Sequence, residues 1–420
     1  MSNHTHQVLI IGAGLAGLAC GRELHDRGID FKILESSSRL GGRMGSTEID
    51  GMTCDIGFQV SMSNYEWLER LVPRKTLPRY GFTRGAVLVS EGKRIRVIDP
   101  KSEPLSGIRL LFSGLAGWRD LRAANRCRVI ASKARDGQHV DGSARELVES
   151  VGFSKRFLES FICPFFSGVL LDEDLDVPAA RFLSTLDRFA RGQAELPAGG
   201  MQRIAEAMAQ PIQSHIAMNQ TVSRVGDGWV ELDEGSRLTC EHVVLALPFD
   251  TICKLTGQSV PKRPRPWSST AAVHFSTREL VPDDPIIYLN ASGSGHLNLA
   301  CVPSVVAPKY APEGAHSVVA SLRPWKNEGS NPVFSADLID EIRQEAGWLL
   351  GVDSSKWRHV HTDSIPMALP RHQYPELKFE DSGRIHATGD WVHWPSIDSS
   401  VHGGIELAIS LERTLREEDS

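Results

Sequence analysis

The sequence predicts an α/β fold with a parallel βαβ unit at its start, and three observations predict it. Val8-Leu9-Ile10-Ile11 is a short apolar run suited to a strand buried on both faces. Gly12-Ala13-Gly14-Leu15-Ala16-Gly17 follows at once and opens a helical pattern through Leu18 and Leu24 to about Gly28. A second apolar strand, Phe31 to Leu34, ends in Glu35 with Ser36 beside it. Each glycine has a reason. Gly12 permits the tight turn, Gly14 lets a pyrophosphate approach the backbone, and Gly17 lets the helix pack closely on the strand. The helix start offers N–H groups and partial positive charge to phosphates, and Glu35 can accept from a ribose hydroxyl. The unit is Rossmann-like.

That fingerprint alone does not choose between NAD and FAD. Arg39-Leu40-Gly41-Gly42-Arg43 comes directly after the ribose-binding strand. A guanidinium there can neutralise a diphosphate with directed hydrogen bonds, while the glycine pair keeps the chain out of the cofactor's way.

GAGLAGL, Glu35 and RLGGR resemble the superfamily of flavin amine oxidases, protoporphyrinogen oxidases and phytoene desaturases, all FAD enzymes. The resemblance covers the FAD-binding parts well and the intervening substrate region only loosely. It continues at the C-terminus in Ala387-Thr388-Gly389-Asp390, where the resemblance implies that Asp390 holds a ribityl hydroxyl and that the last helix points its N-terminus at the flavin or its phosphate. It also implies that Val222 contacts the adenine through its backbone, and that Gly57-Phe58-Gln59-Val60 passes beside the flavin ring. Gln59 would then face flavin or substrate; the alternative is a polar residue capping a turn.

At 420 residues and 41% hydrophobic, the chain can bury large cores and is expected to form two domains. Residues 1–60, 215–250 and 380–420 are expected to form the FAD-binding domain. Residues 61–214 and 251–379 are expected to form a discontinuous α+β substrate-binding domain of mixed sheet and helices. A net charge of −6 leaves no nucleic-acid footprint. The short polar start MSNHTHQ argues against a secretory signal, and seven scattered cysteines without a CxxC pair suggest reduced thiols in a cytoplasmic compartment. No apolar run approaches the roughly 20 residues of a membrane span. Leu105 to Trp118, broken by Arg109 and glycines, reads as a buried helix, with peripheral membrane contact kept open.

Between the cofactor elements, Thr47 to Asp55 reads as a hairpin turning at Asp50-Gly51. Tyr65 to about Met208 reads as mostly helical, with Pro164 breaking the face that runs through Phe157 and Phe161. The aromatic residues from Phe153 to Phe189 are either plain core or the wall of an apolar pocket. Arg119, Arg122, Arg126, Arg128, Lys133 and Arg135 read as a solvated helix face. Strands are expected at 216–218, 221–225, 229–232, 243–248, 271–275, 286–288 and 317–322, helices at 337–350 and 399–415, and a proline-rich crossing from Pro261 to Pro266.

FAD supplies the redox chemistry in such proteins, and neither C–N nor C–C oxidation requires a metal. The histidines show no metal-ligand spacing, His359 and His361 read as surface, and no metal is expected. Covalent flavin amine oxidases of the superfamily that this chain resembles carry a cysteine before the C-terminal motif; Ser364 to Glu380 contains none, so the resemblance implies non-covalent FAD. The final motif, Trp391-Val-His-Trp394-Pro-Ser-Ile397, has no tyrosine to face the flavin. Trp394 could substitute, and Pro-Ser-Ile397 resembles the desaturase branch. The resemblance therefore implies dehydrogenation or isomerisation of a C–C unit in a largely apolar small molecule, with oxygen or a quinone accepting the electrons. Two alternatives stand beside it: amine oxidation with peroxide release, and a non-catalytic binder on the same fold.

Overall fold

The computed structural model describes residues 6–90, 92–99, 103, 114–260, 267–325, 332–371, 379 and 383–418. The opening unit forms as expected, with β1 (His6–Ile11), α1 (Leu15–Asp26) and β2 (Phe31–Leu34). The two strands are parallel, in register from Val8 opposite Phe31 to Ile11 opposite Leu34. Next comes the hairpin β3 (Ser46–Ile49) and β4 (Met52–Asp55). Its turn residues Asp50 and Gly51 both have positive φ, 51° and 74°, as the tight primed hairpin turns require.

After β5 (Ser61–Met62), the largely helical expectation fails from Tyr65 to Ile98. This stretch holds one short helix, α2 (Glu66–Leu71), then β6 (Arg79–Gly81) and a second hairpin of β7 (Gly85–Ser90) and β8 (Lys93–Ile98). Ala86 through Val89 are buried one after another, so no alternation marks them as a strand in the sequence. From Trp118 the expectation holds, in α3 (Trp118–Arg135), α4 (Ala144–Ser150), α5 (Cys163–Leu170) and α6 (Ala179–Arg191). In α3, Asp120, Ala123, Cys127 and Ala131 make one buried stripe, and all six basic residues singled out in the sequence are exposed. Pro164 does not break the helical run. Leu158–Ile162 form a π turn before it, and Pro164 enters α5 at the second position, where its missing N–H costs little.

The chain continues through β9 (Ala194–Pro197), α7 (Gln202–Ala209), β10 (Ile216–Ala217), β11 (Val222–Gly226), β12 (Trp229–Leu232), β13 (Arg237–Leu245) and α8 (Phe249–Thr256). After 261–266, which with 104–113 lie outside the described residues, come β14 (Trp267–Thr277), β15 (Ile287–Asn290), β16 (Leu297–Cys301) and β17 (His316–Leu322). The remainder is α9 (Ala336–Leu350), β18 (Arg358–Pro370), β19 (Ile385–Ala387) and α10 (Ile397–Glu418).

Two seven-stranded sheets organise these elements. The first runs β10-β2-β1-β13-β12-β11, with β19 paired to β13. Strands from the start, middle and end of the sequence thus lie side by side, and β2, β1, β13 and β19 are parallel. The second sheet runs β18-β14-β17-β16-β15-β7-β8, and its β14 is buried along nearly its whole length. Helix α10 lies along α1 at close range: a Cβ on Gly404 would fall 2.2 Å from the Ala16 carbonyl oxygen, so glycine is needed there. No helix among the described residues is long and apolar enough to cross a membrane.

Candidate functional site

The centre of the site is the turn between β1 and α1. Gly12 sits at φ 101°, and its N–H donates to the Leu34 carbonyl at 2.8 Å. A Cβ on Gly17 would meet the Gly12 carbonyl oxygen at 1.9 Å, so helix and turn can touch only through glycine. Gly14 differs: it caps α1 in extended conformation, and nothing lies within 4 Å of where its Cβ would stand. No side chain caps that helix start, and no acidic residue occupies the first turn, which includes the buried Leu15 and Ala16. Open space before a helix N-terminus without a competing carboxylate suits an incoming phosphate.

Glu35, nearly buried, closes one side. Its carboxylate accepts from the Ala13 N–H at 2.7 Å, the Ser37 N–H at 2.9 Å and the Ser37 hydroxyl at 2.8 Å. Ser36 is exposed next to it. Asn219 and Gln220 donate backbone N–H groups to the carbonyls of Ser37 and Glu35, which brings β11 and Val222 alongside; the Val222 side chain itself is buried in the core with Leu34. The arginine loop closes the other side. Gly41 bridges Gly14 and donates to the Ala13 carbonyl at 2.9 Å, while Gly42, at φ 59°, faces the Gly14 Cα. Arg39 is turned back onto the Gly42 carbonyl at 2.8 Å.

Arg43 reaches across the fold. It donates to the Asp390 carboxylate at 2.8 Å and to the Ala368 carbonyl at 3.2 Å, and its guanidinium lies 5.4 Å from the centre of the Trp267 ring. The residues around Asp390 are anchored by Thr388 N–H to the Leu245 carbonyl and by the Trp391 indole to the Leu247 carbonyl. Gly389 is crowded by that indole: a Cβ would fall 2.6 Å from its nitrogen. Arg181 is fully buried within reach of Asp172, Arg371 and Asp390; burial pulls its pKa down to about 10. Arg371 pairs with Asp172. Nothing in the sequence singled out these two arginines, because the fold, not a local motif, gathers Asp172, Arg181, Arg371 and Asp390.

Gln59 is committed to the backbone. Its amide nitrogen donates to the Arg43 carbonyl at 2.9 Å and the Ile56 carbonyl at 2.6 Å, so it braces the arginine loop against the Gly57 turn. Gly57 has φ 75°, and the next residue, Phe58, meets Phe82 edge-on at 6.1 Å. Phe58 and Val60 pack against the core that contains α1, and Phe58 also packs against the helical core of α3 to α6. Trp394 is half-buried in the turn before α10, and Ile397 is the first residue of that helix.

One cluster escaped the sequence reading. Asp55, at the end of β4, is buried and accepts from the Tyr310 hydroxyl at 2.7 Å, the Ser46 hydroxyl at 2.5 Å and the Met201 N–H at 2.8 Å. Burial raises its pKa, against the pull of these donors. Its carbonyl accepts from His274 Nε2 at 3.0 Å, and Asp363 stands 3.6 Å from the same nitrogen. Burial alone would lower the pKa of His274, but the Asp363 carboxylate and the Cys54 sulfur outweigh it and raise it to about 9. This hub ties the hairpin before Gly57 to the second sheet. Asp55, Tyr310 and His274 all lie in stretches legible as strand or loop, without any signal that they meet.

A family model for flavin-containing amine oxidoreductases matches residues 15–410. The chain belongs to that family, whose members are FAD-dependent oxidoreductases, and its cofactor is FAD. Among curated relatives, a protein of Mycobacterium tuberculosis assigned as a flavin-containing monoamine oxidase is 27% identical over 263 residues, 58% of this chain and 57% of that one. The match thus spans little more than half the length of that relative. The flavin-dependent L-tryptophan oxidase of Lentzea aerocolonigenes is 25% identical over an alignment covering all of both chains. A zeta-carotene desaturase of Synechocystis is 30% identical over 115 residues, 26% of this chain and 23% of that one. Among solved structures, putrescine oxidase bound to putrescine superposes with a TM-score of 0.72 at 17% identity, covering 97% of this chain and 99% of that one. Cyclohexylamine oxidase from Brevibacterium oxydans superposes with a TM-score of 0.71 at 15% identity, covering 98% and 99%. These likenesses concern the fold.

Proposed function

We propose that the protein removes hydride from a largely apolar small molecule, by dehydrogenation or isomerisation of a C–C unit. The observation that carries this reading is the position of Phe58. It belongs to the Gly57–Val60 segment, which we assign to the flavin ring, and packs against the helical core that also holds a continuous aromatic series. Phe153, Phe157, Phe161, Phe165 and Phe189 follow one another with ring centres 5.2–5.7 Å apart. Phe161 and Phe165 are only partly buried, as expected of side chains that line a substrate pocket.

On this reading Gly12 to Gly17 and the first turn of α1 hold the diphosphate, Glu35 the adenosine ribose, Arg43 and Asp390 the segment between phosphate and ring, and Val222 the adenine edge. The FAD-binding domain comprises residues 1–60, 215–250 and 380–420. Bound FAD supplies a hydride acceptor at its ring. The residues of this chain bind it, hold its charge and exclude water. Oxygen or a quinone takes the electrons, and contact with a membrane surface would deliver an apolar substrate.

Amine oxidation is the second reading, favoured by the family to which the chain belongs and by the oxidases among its relatives. Anaerobic mixing with a panel of polyenes and amines separates the two. The first reading expects the flavin absorbance to bleach with polyenes or related isoprenoids and not with amines. Bleaching by amines alone, with peroxide released on admitting oxygen, would replace it with the second.

A further inference from the structure

The turn that follows Asp390 carries His393, and α10 carries His402 and Glu406 one helical turn apart. His393 Nε2 lies 2.7 Å from one Glu406 oxygen, and His402 Nε2 lies 3.2 Å from the other. One ligand atom from each of the three residues falls within 4.8 Å of the other two. The imidazoles are held by stacking: His402 lies against Trp67 at 4.2 Å and 15°, and against His393 at 4.9 Å and 13°. The stacking orders the two rings, and each turns a nitrogen toward the same carboxylate.

We propose that His393, His402 and Glu406 form a binding site for a divalent transition-metal ion of the Zn²⁺ type. Two imidazoles and a carboxylate suit such ions, and two ligands one turn apart on a helix face are a recurrent way to present them. To admit the ion, Glu406 would give up its direct hydrogen bonds to the imidazoles and draw back slightly, and the two imidazole nitrogens would turn toward the same point, with water completing the shell. The ion would fasten the turn beyond Asp390 to α10, and so stiffen the C-terminal cofactor segment from outside. The sequence spacing concealed the site, because His393 stands before the helix and only His402 and Glu406 show helical spacing.

The test is calorimetric titration of the FAD-loaded, untagged protein with Zn²⁺, carrying His4→Ala and His6→Ala so that the N-terminal histidines do not contribute. The proposal expects a single saturable site at micromolar Zn²⁺ and a higher thermal midpoint with the ion. It expects more than about a tenfold loss of affinity in His402→Gln and in Glu406→Gln, with FAD content unchanged. Should His402→Gln fail to fold, His393→Gln, on the turn, must show the same loss. No saturable Zn²⁺ binding, or equal binding by the parent and all three variants, would overturn it.

Discussion

Arg43 and Asp390 stand 347 residues apart in the chain and 2.8 Å apart in space. One follows the glycine pair of the arginine loop, the other ends the short strand-and-turn before the last helix. Both motifs were legible separately, and their meeting brings the two ends of the sequence to one place. Because the Asp390 side chain is nearly buried, its pairing is more than an exposed ion pair.

Asp390→Ala is expected to weaken FAD binding by about 1.5–3 kcal/mol, roughly tenfold to hundredfold in Kd. Arg43→Ala should weaken it as well, and the double variant should lose less than the sum, since the two side chains act through one contact. Fluorescence quenching titrations measure all three. Additive losses would mean that the two act independently.

Gln59→Ala should hold FAD nearly as well as the parent, within about threefold, because its amide braces backbone carbonyls rather than a charged group. Its effect should appear in turnover or substrate choice, through the freedom given to the Gly57–Val60 turn. A loss of FAD affinity equal to that of Asp390→Ala would place Gln59 on the cofactor instead.

Gly14→Ala and Gly17→Ala should fail in different ways. Open space faces Gly14, so its variant should fold with an unchanged apo midpoint and bind FAD more weakly, its methyl group standing where the pyrophosphate approaches. Gly17→Ala places a Cβ 1.9 Å from the Gly12 carbonyl oxygen and should lower the midpoint of the apoprotein itself. Thermal melts with and without FAD read both.

The elements proposed to hold the cofactor were legible because their pattern is local: six residues make the glycine turn, five the arginine loop, and Glu35 ends the strand between them. What remained hidden was long-range or buried. Val87 and Val89 read as part of a helical region because both faces of their strand are covered. Pro164 read as a break because a preceding π turn cannot be inferred from side-chain spacing. The Asp55–His274 hub joins residues 219 positions apart, and no local pattern records that.

That hub has a pH consequence. His274 is charged in the folded protein up to about pH 9, against an ordinary value of 6.5. A raised histidine pKa contributes stability that is fully present below pH 6.5 and is lost as pH rises through 9. The thermal midpoint should therefore fall between these limits, and His274→Gln should flatten that part of the profile. An unchanged slope in the variant would assign the dependence to other groups.

Distant segments of this chain are proposed to build one non-covalent FAD site. Acid or heat denaturation of the purified protein, followed by the absorbance of the supernatant and pellet, tests it most directly. The purified protein should be yellow and release one FAD per chain into the supernatant. A colourless protein that stays empty when mixed with FAD would contradict it.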